Sequence, residues 1–275
     1  MNFNLLLSPE DRRDWKAAGI FPKASNWDID FRQYLRPVRD QGMLGSCVAF
    51  ATATQREVQE AFDSKLKDYI APWLTYINRV NQDSDGMYPR NAYEIQRTIG
   101  CLPESMCPYM SNFTWDAEKK KMAELLKIES YYRAYTRQDV IDAMNAKTTV
   151  TLSIPIYGSD GQIWKPENGT LRGYHLVCAA ASSEHGLLIR NSWNEKWDED
   201  GYVEMSWEDF EDLAAKREAW ISVDKKTAKK FTFKEKFRLF TYKAKRFFKN
   251  KTHIWVPIAM VLVAVVIGIY ANSQN

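Results

Sequence analysis

Gln41-Gly42-Met43-Leu44-Gly45-Ser46-Cys47-Val48-Ala49-Phe50 brings a glycine-containing turn up to a thiol and then runs into a stretch with helical spacing. Phe50, Thr54, Val58, Ala61 and Phe62 recur at that spacing, and Gln55, Arg56, Gln59 and Glu60 are expected to form the wet face of the same helix. Cys47 then lies in the first turn. There the partial positive charge and the unpaired N–H groups of a helix start favour thiolate over thiol and can hold a developing oxyanion. A cysteine at a helix start is as a rule a small apolar core residue, so its partners must make the case for a nucleophile.

Three histidines are present. His253 sits beside an apolar stretch near the C-terminus, which leaves His175 and His185 as candidate bases. His175 opens the apolar run Leu176-Val177-Cys178-Ala179, a rigid support for a ring, whereas His185 lies between Glu184 and Gly186 in an expected exposed turn. Asn191-Ser192-Trp193 begins sixteen residues after His175. An Asn amide oxygen can accept the second imidazole N–H and fix the ring.

These residues resemble the papain and cathepsin family of cysteine peptidases. Gln41 stands six positions before Cys47, where the resemblance implies an oxyanion-hole amide, and Ala49-Phe50 matches the family's helix continuation. The family's second motif is similar to Asn191-Ser192-Trp193, Trp197 and Gly201-Tyr202-Val203. The resemblance implies that Cys47 attacks, His175 moves the proton, Asn191 orients the ring and Trp193 shields the Asn–His bond. It also places Gly86, Met87 and Tyr174, with Trp193, along a peptide-binding cleft. The sequence departs from the pattern at several points. Leu44 and Ser84 replace the half-cystines of the disulfide beside the site, and Val48 replaces an aromatic residue. Met87 stands for the second glycine of a substrate-binding pair, and Asn194 and Asp198 lie where glycines normally flank the second Trp. Residues 1–25 are too short for the family's folded inhibitory pro-segment, so restraint by other means, or a constitutive enzyme of narrow range, is expected.

Elsewhere the chain reads as α+β. Asp116 to Lys127 and Asp139 to Asn145 are expected helices. Thr148 to Ile156, His175 to Ala181, Gly186 to Asn191 and Gly201 to Met205 are expected strands. A helix-rich half thus precedes a sheet-rich half, the order of a papain-like fold with a helical lobe and a β-barrel-like lobe. The four cysteines (Cys47, Cys101, Cys107, Cys178) form no CxxC pair or Cys/His cluster of metal-ligand spacing, so no metal and no cofactor is expected. Free thiols in a reducing compartment are the expectation, with a Cys101–Cys107 bridge as the alternative. The first fourteen residues lack the pattern of a secretory leader.

Charge is unevenly spread. Residues 225–251 hold twelve Lys and Arg against one acidic residue, Glu235, out of totals of 38 basic and 35 acidic, leaving 26 and 34 in residues 1–224. Phe233, Phe237, Phe240, Ala244 and Phe247 would form an aromatic stripe on a cationic helix, suited to anionic lipid rather than nucleic acid. Ile254 to Ala271 gives 18 residues without a formal charge, with Trp255 and Tyr270 near the ends and Pro257 in the first turn. That length suits a single membrane span, and the basic flank would hold the catalytic domain on the cytoplasmic face.

The expected organisation is a short extension (1–25), a papain-like catalytic domain (26–224), a basic juxtamembrane segment (225–251) and a C-terminal transmembrane anchor and tail (252–275). The expected function is that of a membrane-tethered cysteine endopeptidase acting on peptide or protein substrate through a thioester. Alternatives are a tethered binding protein that keeps the fold without turnover, and a thiol acyltransferase or isopeptidase using the same pair.

Overall fold

The computed structural model describes residues 5–11, 14–63, 66, 68–215 and 218–225, all within one compact unit, Met1–Lys230. The basic segment beyond Lys225 and the expected span at 254–271 lie outside the described residues. No helix among the described residues is long and apolar enough to cross a membrane.

The first half is helical. Helix α1 (Cys47–Asp63) is followed by α2 (Pro72–Ile77) and α3 (Pro89–Thr98), each opened by a proline at a position where no N–H is needed. Helix α4 (Ala117–Leu125) starts on Asp116, whose side chain accepts the Lys119 N–H. Helix α5 (Arg137–Asn145) carries a full capping box between Thr136 and Asp139. The expected helices at 116–127 and 139–145 correspond to α4 and α5, whereas α2 and α3 had not been read.

The second half supplies most of the sheet. The short strand β1 (Ile29–Asp30) comes early in the chain, and β2 (Ile128–Arg133), β3 (Thr151–Ile156), β4 (Gly173–Ser182), β5 (Gly186–Arg190), β6 (Tyr202–Ser206) and β7 (Ala219–Asp224) follow. Among the described residues they form one sheet in the order β2-β7-β3-β4-β5-β6, with β1 added to β4. All pairings are antiparallel. The four expected strands correspond to β3, β4, β5 and β6. The β-branched and apolar residues of β3 are buried on both faces, so the strand reads as a continuous run rather than an alternation.

The expected wet face of α1 is a correction. Gln55 and Arg56 are fully buried, as is Glu60, and Gln59 is nearly so. The helix is enclosed on all sides, and its polar side chains meet backbone groups of the sheet in place of water. Gln55 Nε2 donates to Thr149 O (2.5 Å) and Trp220 O (3.1 Å), and Gln59 Nε2 donates to Ser222 O (2.8 Å) and Thr148 Oγ1 (2.8 Å). Ser222 Oγ donates back to Gln55 Oε1 (2.7 Å). Arg56 pairs with Glu60 and, at 3.0 Å, with Asp224 at the end of β7.

A buried ion cluster is costly when one partner is lost, because the remaining charges stay in low dielectric without compensation. Arg56→Met should therefore lower stability by about 3–5 kcal/mol. Urea denaturation followed by circular dichroism would show a lower midpoint with unchanged slope. A shift of less than about 1 kcal/mol would mean that water or rearrangement relieves the two carboxylates.

Candidate active site

Cys47 opens α1, whose first intrahelical bond runs from the Phe50 N–H to Ser46 O (3.1 Å). The N–H groups of Cys47, Val48 and Ala49 precede that bond and point toward whatever lies in front of the thiol. The approaching turn is fixed at several points. Asp40 accepts the Gly42 N–H (2.8 Å) and the Asn194 side-chain amide (2.9 Å). Tyr109 Oη donates to Gln41 O (2.8 Å) and lies 2.7 Å from Ser46 Oγ. Arg190 Nη2 donates to the carbonyls of Arg36 (2.7 Å) and Pro37 (2.9 Å), tying the same loop to the end of β5.

His175 sits near the start of β4, paired with Ile154 of β3. On the other side Cys178 pairs with Arg190, so the chain leaving β5 runs back along the beginning of β4. That register brings Asn191 to the ring. His175 Nε2 and Asn191 Oδ1 are 2.8 Å apart, and both residues are buried. The same Oδ1 accepts the Ser192 N–H (2.8 Å), a bond only an oxygen can make, which fixes the amide orientation. His175 therefore carries its proton on Nε2, and Nδ1 is the basic nitrogen. That Nδ1 is buried without a hydrogen-bond partner. Trp193 packs on the ring at 4.8 Å between centroids, and Trp197 meets Trp193 edge-on at 5.4 Å.

Gln41 belongs to the same assembly. Its backbone N–H donates to Ser192 O (2.9 Å), its Oε1 accepts the Ser192 hydroxyl (2.7 Å), and its Nε2 donates to Leu44 O (2.9 Å). One amide hydrogen of Nε2 remains for a ligand. Cys47 joins a cluster with Leu176 and Cys178 of β4, with Met87, and with the half-buried Tyr174 and Leu44. Burial pushes the Cys47 thiol up to about 11, against backbone hydrogen bonds from Leu176, Val48 and Cys47 itself. The Leu176 bond places the thiol beside the residue that follows His175. Burial likewise pushes the His175 imidazole down to about 4, only partly opposed by Asn191. In this arrangement both groups are neutral at pH 7.

The remaining candidates fall as follows. His185 is exposed in the turn between β4 and β5. Met87 is fully buried, yet its carbonyl is directed at another chain segment and accepts the Leu6 N–H (3.2 Å). Gly86 beside it has φ +86°, and Tyr174 O accepts the Leu5 N–H (3.2 Å). Asn194 and Asp198, which replace glycines, adopt φ of +66° and +46°. Asn and Asp tolerate this left-handed region better than other side chains, so the loop keeps its path without glycine. Gly201 cannot be replaced in this way, since at φ +87° a Cβ would lie 2.7 Å from Val38 Cγ2. All four cysteines are free, which corrects any Cys101–Cys107 bridge. Sequence reasoning missed the N-terminal residues Leu5 and Leu6 at this site. Their bonds run through backbone groups, which leave no side-chain signature.

A family model described as papain family cysteine protease matches residues 22–221. Cysteine proteinase 1 of Entamoeba histolytica is 28% identical over 204 residues, covering 67% of this chain and 63% of that one. Papain of Carica papaya is 26% identical over 188 residues, covering 64% and 54%. The chain thus spans less than two thirds of the length of these curated relatives. Among solved structures, the crystal structure of xylellain, a cysteine protease from Xylella fastidiosa, superposes with a TM-score of 0.67 over 82% of this chain and 97% of that one, at 20% identity. At that identity the likeness speaks to the fold.

The neutral thiol has a direct consequence. A small neutral alkylator such as iodoacetamide should modify Cys47 more slowly at pH 7 than it modifies free cysteine, and the rate should climb as pH rises, because thiolate is the reactive form. Peptide mapping of the alkylated site between about pH 6 and 10 checks this. A rate already at plateau at pH 6 would show that the resting thiol is ionised.

Proposed function

Because the chain belongs to the papain family of cysteine proteases, we propose that it hydrolyses peptide bonds with Cys47 as nucleophile and His175 as general base and acid. The observation that carries this reading is the His175 Nε2–Asn191 Oδ1 bond of 2.8 Å, with Nδ1 left as the basic nitrogen. Cys47 Sγ attacks the carbonyl carbon while its proton passes to Nδ1. The oxyanion that forms is held by the Cys47 N–H and the remaining amide hydrogen of Gln41. The C–N bond then breaks, the leaving amine takes the proton from His175, and a thioester remains. Water, deprotonated by His175, attacks the thioester and releases the acid and the thiol. Asn191 keeps the ring in its tautomer throughout, and Trp193 keeps water from that bond. Gly86, Met87 and Tyr174 line the peptide-binding side through their backbone groups.

The same reading includes a tether. We propose that 252–275 form a single-pass anchor and that 225–251 lie against anionic lipid, leaving the catalytic domain (26–224) on the cytoplasmic face. The support is the sequence: 18 uncharged residues at 254–271 preceded by a net charge of +11.

Cys47→Ala should abolish both cleavage and labelling by an epoxide peptide probe. His175→Ala should cost about 10²–10⁴-fold in turnover, His185→Ala almost nothing, and Asn191→Ala an intermediate amount. Labelling of the Cys47 variant equal to the parent would remove the assignment. Product analysis with an added amine separates hydrolysis from acyl transfer. For the tether, deleting 252–275 should move the protein out of the integral membrane fraction and leave salt-sensitive binding to anionic vesicles. Protease added outside sealed cells should spare the catalytic domain, and its digestion there would reverse the orientation.

A further inference from the structure

The two proposed oxyanion donors stand at opposite ends of one turn: the Gln41 side-chain amide opens it, and the Cys47 N–H follows its last residue, Ser46. No covalent bond fixes the turn, since residues 41–46 include no cysteine and all four cysteines of the chain are free. Inside it, Leu44 O accepts both Gln41 Nε2 (2.9 Å) and the Ser46 N–H (2.8 Å). These bonds join the ends only through Leu44, in the middle of the turn.

A side chain from outside the turn spans both ends. Tyr109 Oη donates to Gln41 O (2.8 Å) and lies 2.7 Å from Ser46 Oγ. A phenol has one hydrogen, and the Gln41 carbonyl takes it, so Ser46 is the donor in the second bond. The bonds therefore run in one direction, from the Ser46 hydroxyl through Tyr109 to Gln41. Gln41 is 1% and Ser46 0% exposed, so bulk water cannot stand in for either bond. Burial pushes the Tyr109 phenol up to about 12, which keeps its hydrogen in place at neutral pH.

Tyr109 is itself immobilised. Its N–H donates to Glu104 Oε1 (2.8 Å), and Glu104 Oε2 meets Arg39 Nη1 (3.3 Å). The ring packs edge-on against Phe50 of α1 (4.9 Å) and Trp73 of α2 (5.6 Å), and Trp73 Nε1 donates to Ser111 O (2.8 Å). Met110, between Tyr109 and Ser111, has φ +57°, a left-handed conformation that residues other than Gly, Asn and Asp adopt at a cost. Strain of this kind persists where the surroundings over-determine a position.

We propose that Tyr109 is a positioning residue for the oxyanion hole: by bonding both ends of turn 41–46 it sets the spacing between the Gln41 amide and the Cys47 N–H. This rests on the proposed oxyanion role of those two donors. The hydroxyl of Tyr109 is committed to Gln41 and Ser46 and acts through them. Donors that meet a developing charge must be in place before it forms, so a small displacement weakens the tetrahedral state more than it weakens substrate binding.

The test uses the full-length chain and Tyr109→Phe, which removes the hydroxyl and keeps the ring packing. With a peptide substrate, kcat should fall about tenfold while KM stays within about twofold. A peptide aldehyde, whose reversible adduct with Cys47 puts a tetrahedral oxygen in the oxyanion hole, should bind about tenfold more weakly. Alkylation of Cys47 by iodoacetamide, which forms no oxyanion, should keep its rate. In a Gln41→Ala background Tyr109→Phe should cost less, because one of the two donors it positions is already gone. Ser46→Ala breaks one of the two bonds and should give a smaller loss of the same pattern, which carries the test if Tyr109→Phe does not fold. Unchanged kcat and aldehyde affinity overturn the proposal. So does a parallel fall in aldehyde binding and alkylation, or an equal loss in the Gln41→Ala background, since either marks a general structural role. A parent chain that forms no aldehyde adduct at Cys47 removes the nucleophile reading, and the positioning role falls with it.

Discussion

Helix α1 must stay fixed against the sheet, because the thiol is on the helix and the imidazole is on β4. Apolar packing alone would let a helix slide or rotate by a fraction of a turn over the strands. Here Gln55 and Gln59 bond to backbone carbonyls at Thr149, Trp220 and Ser222, and the geometry of those amides admits one registration. Arg56 adds a charged tie to Asp224 at the end of β7. The interior of the protein thus uses polar groups where position matters and apolar groups where volume matters. Removing the polar seam would cost stability and would also loosen the placement of the Cys47 thiol relative to the His175 ring.

A second set of ties does the same for the oxyanion side. Gln41 is held by Ser192 through both backbone and side chain, and the Ser192 N–H in turn donates to Asn191 Oδ1, the side-chain oxygen that also meets His175. The expected oxyanion amide and the expected ring-orienting amide are therefore parts of one hydrogen-bonded unit. A change at Ser192 would disturb both at once.

Much of the site was legible because its residues carry chemistry that few other arrangements need. Cys47 at a helix start, His175 opening an apolar strand and Asn191 at a strand end each had a local signal. The strands β3 to β6 were legible from their β-branched runs and bounding turns. The wet face assigned to α1 was misread for a definite reason. A periodic polar stripe marks solvent only when one side of the helix lacks a neighbour, and α1 has neighbours all round. Helix α2 escaped notice because six residues give too few turns for periodicity to register, and the Pro starts of α2 and α3 resemble loops. Strand β1 is two residues long and pairs with β4 about 150 positions away, and no local pattern reports such a partner. The covering of the cleft by Leu5 and Leu6 was invisible for a related reason, since the bonds involved are made by backbone alone.

The burial of Cys47 also bears on redox damage. Peroxide attacks thiolate, and the product climbs from sulfenic to irreversible sulfinic and sulfonic acids when the sulfur is exposed. In the resting molecule Cys47 is protonated and covered, and Cys101 and Cys107 are pushed up to about 12 by burial. Burial and protonation together slow the first step of that ladder at Cys47. All four thiols share this protection, so their oxidation first requires the surrounding side chains to move.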